Sequence, residues 1–218
     1  MFEFLGRVFN LIVERQDFFI RITLEHLGIS LQAIFWVIAI GVPVGVLVSK
    51  YPKAAQKVMA LVNFLYTIPV IAMFGLLLPF VGIGERNAMV ALVIYGLLPV
   101  IRNTYVGLDE VDKFVIESAR GMGSSEMELL LNIKLPLAMP VIFAGVRTMI
   151  VMTIALTAIA TFIGAGGLGS AIYRGITMNF QEMIFAGSIM VALLAVIADF
   201  GLERVERMMI SRTSGKKN

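Results

Sequence analysis

Long apolar stretches, separated by mostly short polar segments, fill most of the 218-residue chain. A helix needs about 20 mainly apolar residues to cross a bilayer, and five stretches reach that length. The polar segments between them are short except for 108–136 and 164–182. This pattern predicts an all-α, polytopic membrane protein with transmembrane helices at about 27–48, 58–81, 88–107, 137–163 and 183–202.

The two ends of the chain lack such a stretch. Residues 1–26 mix apolar and charged positions, and the apolar ones fall near helical spacing. We interpret this segment as an amphipathic helix that lies along the membrane interface rather than crossing it. We interpret residues 203–218 as a cytoplasmic tail. The apolar positions of the N-terminal segment are Phe2, Leu5, Phe9, Ile12 and Val13.

Composition supports the membrane assignment and excludes some chemistry. Hydrophobic residues make up 59% of the chain, against about 45–50% in soluble domains, and the mean hydropathy is +0.91. The chain has no cysteine and a single histidine, His26, so we expect no metal site of these ligands. The formal net charge is only +3, and the basic residues are spread over short loops, so we expect no nucleic-acid partner.

The basic residues predict the orientation of the chain, because short cytoplasmic loops carry more lysine and arginine than outer loops. We predict an N-terminus outside and a C-terminus in the cytoplasm. This orientation places the larger basic group inside, namely Lys50, Lys53, Lys57, Lys113, Arg120, Lys134, Arg204, Arg207, Arg212, Lys216 and Lys217. The basic residues outside are then Arg7, Arg15, Arg21, Arg86 and Arg174.

Proline and glycine interrupt the apolar stretches. In lipid, such breaks persist only where neighbouring helices or a water-filled path satisfy the freed backbone groups. Gly41 and Gly45 also form a small-xxx-small face suited to close helix packing. Close packing accounts for any one of the breaks, and together they suit a protein that changes conformation. They are Gly41, Pro43, Gly45, Pro69, Gly75, Gly96 and Pro99.

The polar segment 108–136 contains two predicted short helices. Over 110–122 the apolar positions follow a spacing of about 3.6 residues. Gly123 comes next, where a left-handed helix cap favours glycine. Ser125 and Glu128 then have the spacing of a capping box, which predicts that a second helix begins there.

The same segment carries Glu117-Ser118-Ala119, then Gly123, and then Ile133-Lys134-Leu135-Pro136. This spacing resembles the EAA signature of ABC importer permeases, except that Ser118 replaces the first alanine of the pattern. The resemblance implies a cytoplasmic coupling helix that docks on a separate ATPase and passes its displacement into the fourth membrane helix. Pro136 begins that helix without removing a needed backbone donor. The residues implied in coupling are Glu117, Ser118, Ala119, Gly123, Ile133, Leu135 and Pro136.

Three further segments resemble the permeases of glycine betaine, carnitine and choline uptake. They are 26–30 at the start of the first helix, 66–69 with 77–79 in the second, and the glycine-rich 160–169 after the fourth. The resemblance covers nearly the whole chain. It implies the type I ABC importer permease fold, with an ABC transmembrane type-1 domain at 27–202 and its coupling loop at 108–136.

The resemblance also implies partners and a location. A type I importer combines two permeases, identical or related, with two cytosolic ATP-binding subunits and an extracytoplasmic solute-binding protein. The location is the lipid of the bacterial cytoplasmic membrane. ATP and Mg are then held by the ATPase, so we expect no cofactor on this chain and no enzyme activity of the chain by itself. The sequence contains no G-x-x-x-x-G-K-[ST] motif, in agreement with a separate ATPase.

Five residues are candidates for the pathway or its gates. Tyr66 offers an aromatic ring to a quaternary ammonium, and Pro69 interrupts the second helix. Gly166 and Gly167 belong to a G-x-G-x-x-G run that lacks the strand and the acidic residue of a dinucleotide site. We predict a tight outer turn there, close to a partner protein. Arg147 lies well inside an apolar stretch, where an anchor that reaches the headgroups and a pathway role are both open.

Other polar and aromatic residues receive simpler interpretations. His26, at the head of the first helix, is interpreted as an interfacial residue. Asp199 lies near the inner end of the fifth helix and either pairs with a basic neighbour or remains an interfacial charge. Phe64 and Tyr95 are further aromatic residues for a cation path, although packing roles are more common.

These observations predict the permease subunit of an ABC importer for glycine betaine, carnitine or choline. A methionine or other amino-acid permease is the nearest alternative, since methionine permeases are similar in size and carry a related glycine-rich turn. An ion-coupled secondary transporter would need carboxylates deep within the helices, and the apolar stretches hold none there. A scaffold protein would not need so many helix breaks.

Overall fold

A computed structural model describes the backbone of residues 1–213 and the side chains of residues 1–51 and 53–209. A π-helical segment, Leu129–Lys134, joins α7 to α8, and a 3-10 turn, Ala160–Ile163, extends α8. The helices are α1 (Phe2–Glu14), α2 (Gln16–Lys50), α3 (Pro52–Thr67), α4 (Val70–Val81), α5 (Glu85–Asp109), α6 (Lys113–Gly121), α7 (Glu126–Glu128), α8 (Leu135–Ile159), α9 (Gly169–Thr177) and α10 (Gln181–Thr213).

Four helical runs of the described chain are long and apolar enough to cross a membrane. They are α2, α5, α10 and the run Glu126–Ile163 that contains α8. The bent pair α3–α4 makes a fifth if it counts as one span. The prediction of an all-α polytopic membrane protein is therefore confirmed.

The core of the bundle lies where α2, α5 and α8 meet. These helices share a buried cluster centred on Val100 and Met149. A Cβ atom added at Gly41 would lie 2.9 Å from Val100 Cγ1, and one at Gly45 would lie 2.5 Å from Thr104 Cβ. The two glycines therefore let α2 approach α5 closely, as the small-xxx-small pattern predicts.

The predicted helix at 58–81 is two helices. α3 and α4 meet at an angle of 104°, with Ile68 in an extended conformation at the junction (φ −69°, ψ 127°). Pro69 favours this break, because proline disfavours the helical conformation of the residue before it. The Tyr95 hydroxyl donates a hydrogen bond to the Ile68 carbonyl. A side chain of α5 thus satisfies a backbone group at the break.

The first membrane helix begins earlier than predicted. α2 begins at Gln16, so the predicted boundary after residue 26 falls inside a continuous helix. Phe19 and Ile22 are buried in a cluster that also holds side chains of α1 and α10. Charged residues occupy the exposed face of the same turns, so the segment is amphipathic and escapes a search for uniformly apolar stretches. These residues are Asp17, Arg21 and Glu25.

The N-terminal helix α1 packs against α10. The Nε atom of Arg7 lies 2.7 Å from Glu182 Oε1, and the rings of Phe4 and Phe185 are 5.4 Å apart in an edge-to-face arrangement. The opposite side of α1 exposes large apolar residues, which suits the predicted interfacial position. Those residues are Phe2, Leu5, Phe9 and Val13.

The last two predicted spans are longer than expected. Helical structure leads without a break from Glu126 through the π-helical segment into α8, so the last part of the predicted coupling loop and the membrane helix form one run. α10 continues beyond residue 202 to Thr213, so the first part of the predicted tail is helical. Residues 214–218 of that tail lie outside the described residues.

Candidate functional site

The predicted coupling helix is α6, and local hydrogen bonds define both of its ends. Asp112 Oδ1 accepts a hydrogen bond from the Phe114 backbone N–H at 2.8 Å, which caps the N-terminus. At the C-terminus the Ser124 N–H donates to the Ala119 carbonyl (3.1 Å) and the Gly123 N–H to the Arg120 carbonyl (3.0 Å). This is a Schellman cap. Gly123 has φ +90°, which confirms the predicted left-handed position.

The predicted capping box is also confirmed. The Glu128 N–H donates to Ser125 Oγ (3.3 Å), and the Ser125 N–H donates to Glu128 Oε2 (2.8 Å). An ion pair between Arg120 and Glu126 (2.8 Å) links the end of α6 to the start of α7. The loop therefore holds its shape through contacts between residues that are close in sequence.

The motif residues of α6 divide between its two faces. Glu117 and Ser118 are exposed, whereas Ala119 is only 2% exposed, and α6 packs against the π-helical segment. Ala119 therefore lies inside the loop, and Ser118 is the small residue that faces outward. Two large apolar side chains share the outer surface, Phe114 at 74% and Met122 at 81% exposure.

The second half of the motif connects this loop to the bundle. Leu135 packs on a buried cluster of α5, α8 and the π-helical segment, which also contacts Val42 and Val46 of α2. Ile133 is half-buried, and Pro136 is exposed in the first turn of α8. Displacement of α6 therefore has a packed route into α8.

At the other end of α8, a glycine-rich turn packs on α2. His26 is fully buried, and its Nδ1 accepts a hydrogen bond from the Leu168 N–H (3.3 Å). Its Nε2, which then carries the proton, donates to the Ile154 carbonyl (3.0 Å). The interfacial interpretation of His26 is therefore wrong. The sequence could not reveal this, because the contact joins residues far apart in the chain.

Gly166 and Gly167 fit against the same turn of α2. Both have positive φ, +88° and +79°. The Gly167 N–H donates to Glu25 Oε2 (3.3 Å), and a Cβ atom at Gly167 would lie 3.1 Å from the His26 Nδ1. Contacts within the chain thus account for these glycines, and their proximity to a partner stays a prediction.

Arg147 of α8 is ion-paired rather than isolated. Its Nε lies 2.6 Å from Asp199 Oδ1, its Nη1 2.8 Å from Glu206 Oε2, and its Nη2 3.8 Å from Glu203 Oε2. The pairing of Asp199 with a basic neighbour is confirmed. Sequence reasoning missed the two glutamates, although the spacing i, i+4, i+7 places all three carboxylates on one face of α10.

An open cavity of about 660 Å³ adjoins this ion-paired cluster. Tyr66 of α3 contributes to its wall, and its hydroxyl lies 3.5 Å from Met152 Sδ of α8. The ring of Tyr95 stacks edge-on against that of Tyr66, 5.8 Å away. Tyr95 itself is buried, which removes it from the candidate path. The lining residues are Tyr66, Ala144, Arg147, Thr148, Val151, Met152, Ala155, Asp199 and Glu206.

Comparison with known proteins identifies the family. The family model described as binding-protein-dependent transport system inner membrane component matches residues 5–211. The chain belongs to this family. As a member, it is a multi-pass component of the inner membrane.

Two relatives and a solved structure place the chain more closely. It is 42% identical over 184 residues to the carnitine transport permease OpuCB of Listeria monocytogenes, covering 84% of each chain. It is 40% identical over 186 residues to the glycine betaine/carnitine/choline permease OpuCD of Bacillus subtilis, covering 85% of this chain and 81% of that one. The inward-facing MetNI methionine ABC transporter superimposes with a TM-score of 0.78 at 25% identity, covering 85% and 93%. The fold is that of type I ABC importer permeases.

Proposed function

We propose that this chain is the permease subunit of an ABC importer for quaternary ammonium osmoprotectants such as glycine betaine, carnitine or choline. The observation that carries the proposal is the 42% identity to a carnitine permease over 84% of both chains. A second permease, either another copy of this chain or a related one, completes the path. An extracytoplasmic binding protein delivers the solute.

Cytosolic ATP-binding subunits drive the cycle. They hold ATP and Mg, so this chain binds no cofactor and is not an enzyme by itself. The N-terminus lies outside and the C-terminus in the cytoplasm, which brings the α6 loop to the ATPase. Glu117, Ser118 and Phe114 form the outward face of that loop and make the contact.

Coupling proceeds through the packed route from α6 to α8. ATP binding closes the ATPases and draws the two α6 loops together. Gly123 preserves the turn at the end of α6, and Ile133, Leu135 and Pro136 pass the movement into α8. The helices then change between inward-open and outward-open states. The break at Pro69 and the turn at Gly166–Gly167 are the proposed pivots.

A methionine permease is the second candidate, and the solved methionine transporter supports it. Its identity to this chain is 25%, well below the 42% and 40% of the osmoprotectant relatives. The substrate proposal therefore favours a quaternary ammonium.

ATP hydrolysis in liposomes tests the proposal. The complete assembly is reconstituted with its binding protein, and glycine betaine, carnitine, choline and methionine are added separately. We expect stimulation by at least one quaternary ammonium solute. Stimulation by methionine alone would change the proposed substrate to methionine. Absence of a co-purifying ATPase would overturn the importer assignment.

A further inference from the structure

We propose that the cavity beside Arg147 is a transit site for zwitterionic solutes, in which Arg147 binds the carboxylate and Tyr66 contacts the ammonium. This inference rests on the proposed function and adds to it a binding site and a basis for discriminating solutes. The site would select among quaternary ammonium compounds by the presence of a carboxylate.

The first argument is the size and chemistry of the cavity. About 660 Å³ lies within the range of about 300–1,000 Å³ typical of small-molecule sites. Its wall is mostly apolar, with the charged groups gathered around Arg147 at one part of it. A trimethylammonium group is large and only weakly hydrated, so it suits an apolar wall that includes an aromatic ring.

The second argument is that the two recognition groups border the same cavity. The Tyr66 hydroxyl contacts Met152 of α8, and Met152 and Arg147 both line the cavity. Tyr66 is 41% exposed, so its ring is accessible from the cavity.

The third argument is the charge around Arg147. Two guanidinium groups, of Arg147 and Arg207, are paired with three carboxylates, which leaves an excess of one negative charge. Asp199 is the most exposed of the three, at 41% of its side chain. A solute carboxylate can replace Asp199 on the planar guanidinium, and the excess negative charge of the cluster then favours the ammonium end of the same solute.

Because the solute carboxylate must displace Asp199, we expect its affinity for this site to be low. Solute and protein carboxylates compete for one guanidinium, so the net gain on binding is small. A transport pathway needs such a site, because a tightly held solute would not leave.

The test compares two solutes that share the trimethylammonium group. Glycine betaine has a carboxylate and choline has a hydroxyl instead. Uptake of both solutes is measured into liposomes that contain the complete assembly, with one binding protein that accepts both. For each solute, the uptake rate of a variant is divided by that of the wild type. We expect Arg147→Gln to lower glycine betaine uptake roughly tenfold more than choline uptake, the effect of one lost charge-assisted hydrogen bond.

Two further variants complete the test. Arg147→Gln leaves Asp199 and Glu206 without their guanidinium partner, so Arg147→Gln/Glu206→Gln removes one charge of each sign and should show the same difference between solutes. Tyr66→Leu should lower uptake of both solutes by a similar factor, because both carry the trimethylammonium group that the ring contacts.

The outcomes separate this inference from the proposed function. Equal loss of both solutes in the Arg147 variants, with wild-type uptake intact, would overturn the transit site and leave the importer assignment standing. No uptake of either solute by the wild-type assembly would overturn both. A selective loss of glycine betaine uptake supports the site.

Discussion

The connections at the two ends of α8 are held in place by different kinds of contact. Each end meets a glycine-containing connection, at Gly123 on one side and Gly167 on the other, and both glycines have positive φ. The first connection is held by hydrogen bonds between neighbours in sequence and leaves its outer face exposed. The second is buried against α2 through His26.

This difference indicates that the two connections have different roles. A loop that holds its own shape can move as a unit and present its surface to a partner. A turn that is packed against another helix anchors α8 to the bundle instead. We therefore expect substitutions in the glycine-rich turn to affect folding, and substitutions in the α6 loop to affect coupling.

Gly167→Ala should have the largest effect. The new Cβ atom would lie 3.1 Å from the His26 Nδ1, and the backbone has a conformation that costs alanine about 1–2 kcal/mol. We expect a sharp drop in the yield of monodisperse permease, measured by size-exclusion chromatography in detergent. A normal yield and thermal stability would contradict the anchoring role.

Glu117→Lys should abolish uptake without affecting folding. The side chain is exposed on α6, so the charge reversal disturbs only a surface that we assign to the ATPase. We expect normal detergent stability, together with loss of the co-purifying ATPase and of solute uptake. Glu110→Lys serves as the matched control, since Glu110 is an exposed glutamate of the same polar segment outside the motif. Equal uptake in both variants would remove the coupling assignment.

Gly123→Ala is the matched partner of Gly167→Ala and should have a smaller effect. No atom lies within 4 Å of the added Cβ, so only the backbone cost of about 1–2 kcal/mol remains. We expect a normal yield and reduced uptake, because the substitution strains the Schellman cap and thereby shifts the end of α6. A yield as low as that of Gly167→Ala would show that the two turns do not differ as we infer.

Ser125→Ala should have the smallest effect. It removes one half of a capping box on an exposed loop, which typically costs about 1 kcal/mol. We expect uptake to fall by less than in Gly123→Ala, with a normal yield of monodisperse permease. Ser125→Thr should retain uptake, because threonine also caps a helix N-terminus and keeps the hydroxyl that donates to Glu128 Oε2 (2.7 Å). Loss of uptake in the threonine variant would indicate a direct contact of Ser125 rather than a cap.

Much of the coupling loop could be predicted from the sequence. Gly123 and the Ser125–Glu128 capping box depend on residues within one or two turns, and such local patterns determine local structure. The direction of Ala119 was not predictable, because it depends on how α6 packs against the π-helical segment. A motif reports which residues recur, and it does not report which side of the helix they face.

The sequence by itself determined the all-α membrane class and the approximate spans, because hydrophobicity acts locally. It did not determine which proline breaks a helix, since Pro43 and Pro99 lie inside continuous helices. Only the tertiary structure decided the burial of His26, the approach of Gly167 to α2 and the pairing of Arg147 with three carboxylates of α10. Each of these contacts joins groups from different helices. Their existence depends on helix rotation and depth, which the order of residues along one helix leaves open.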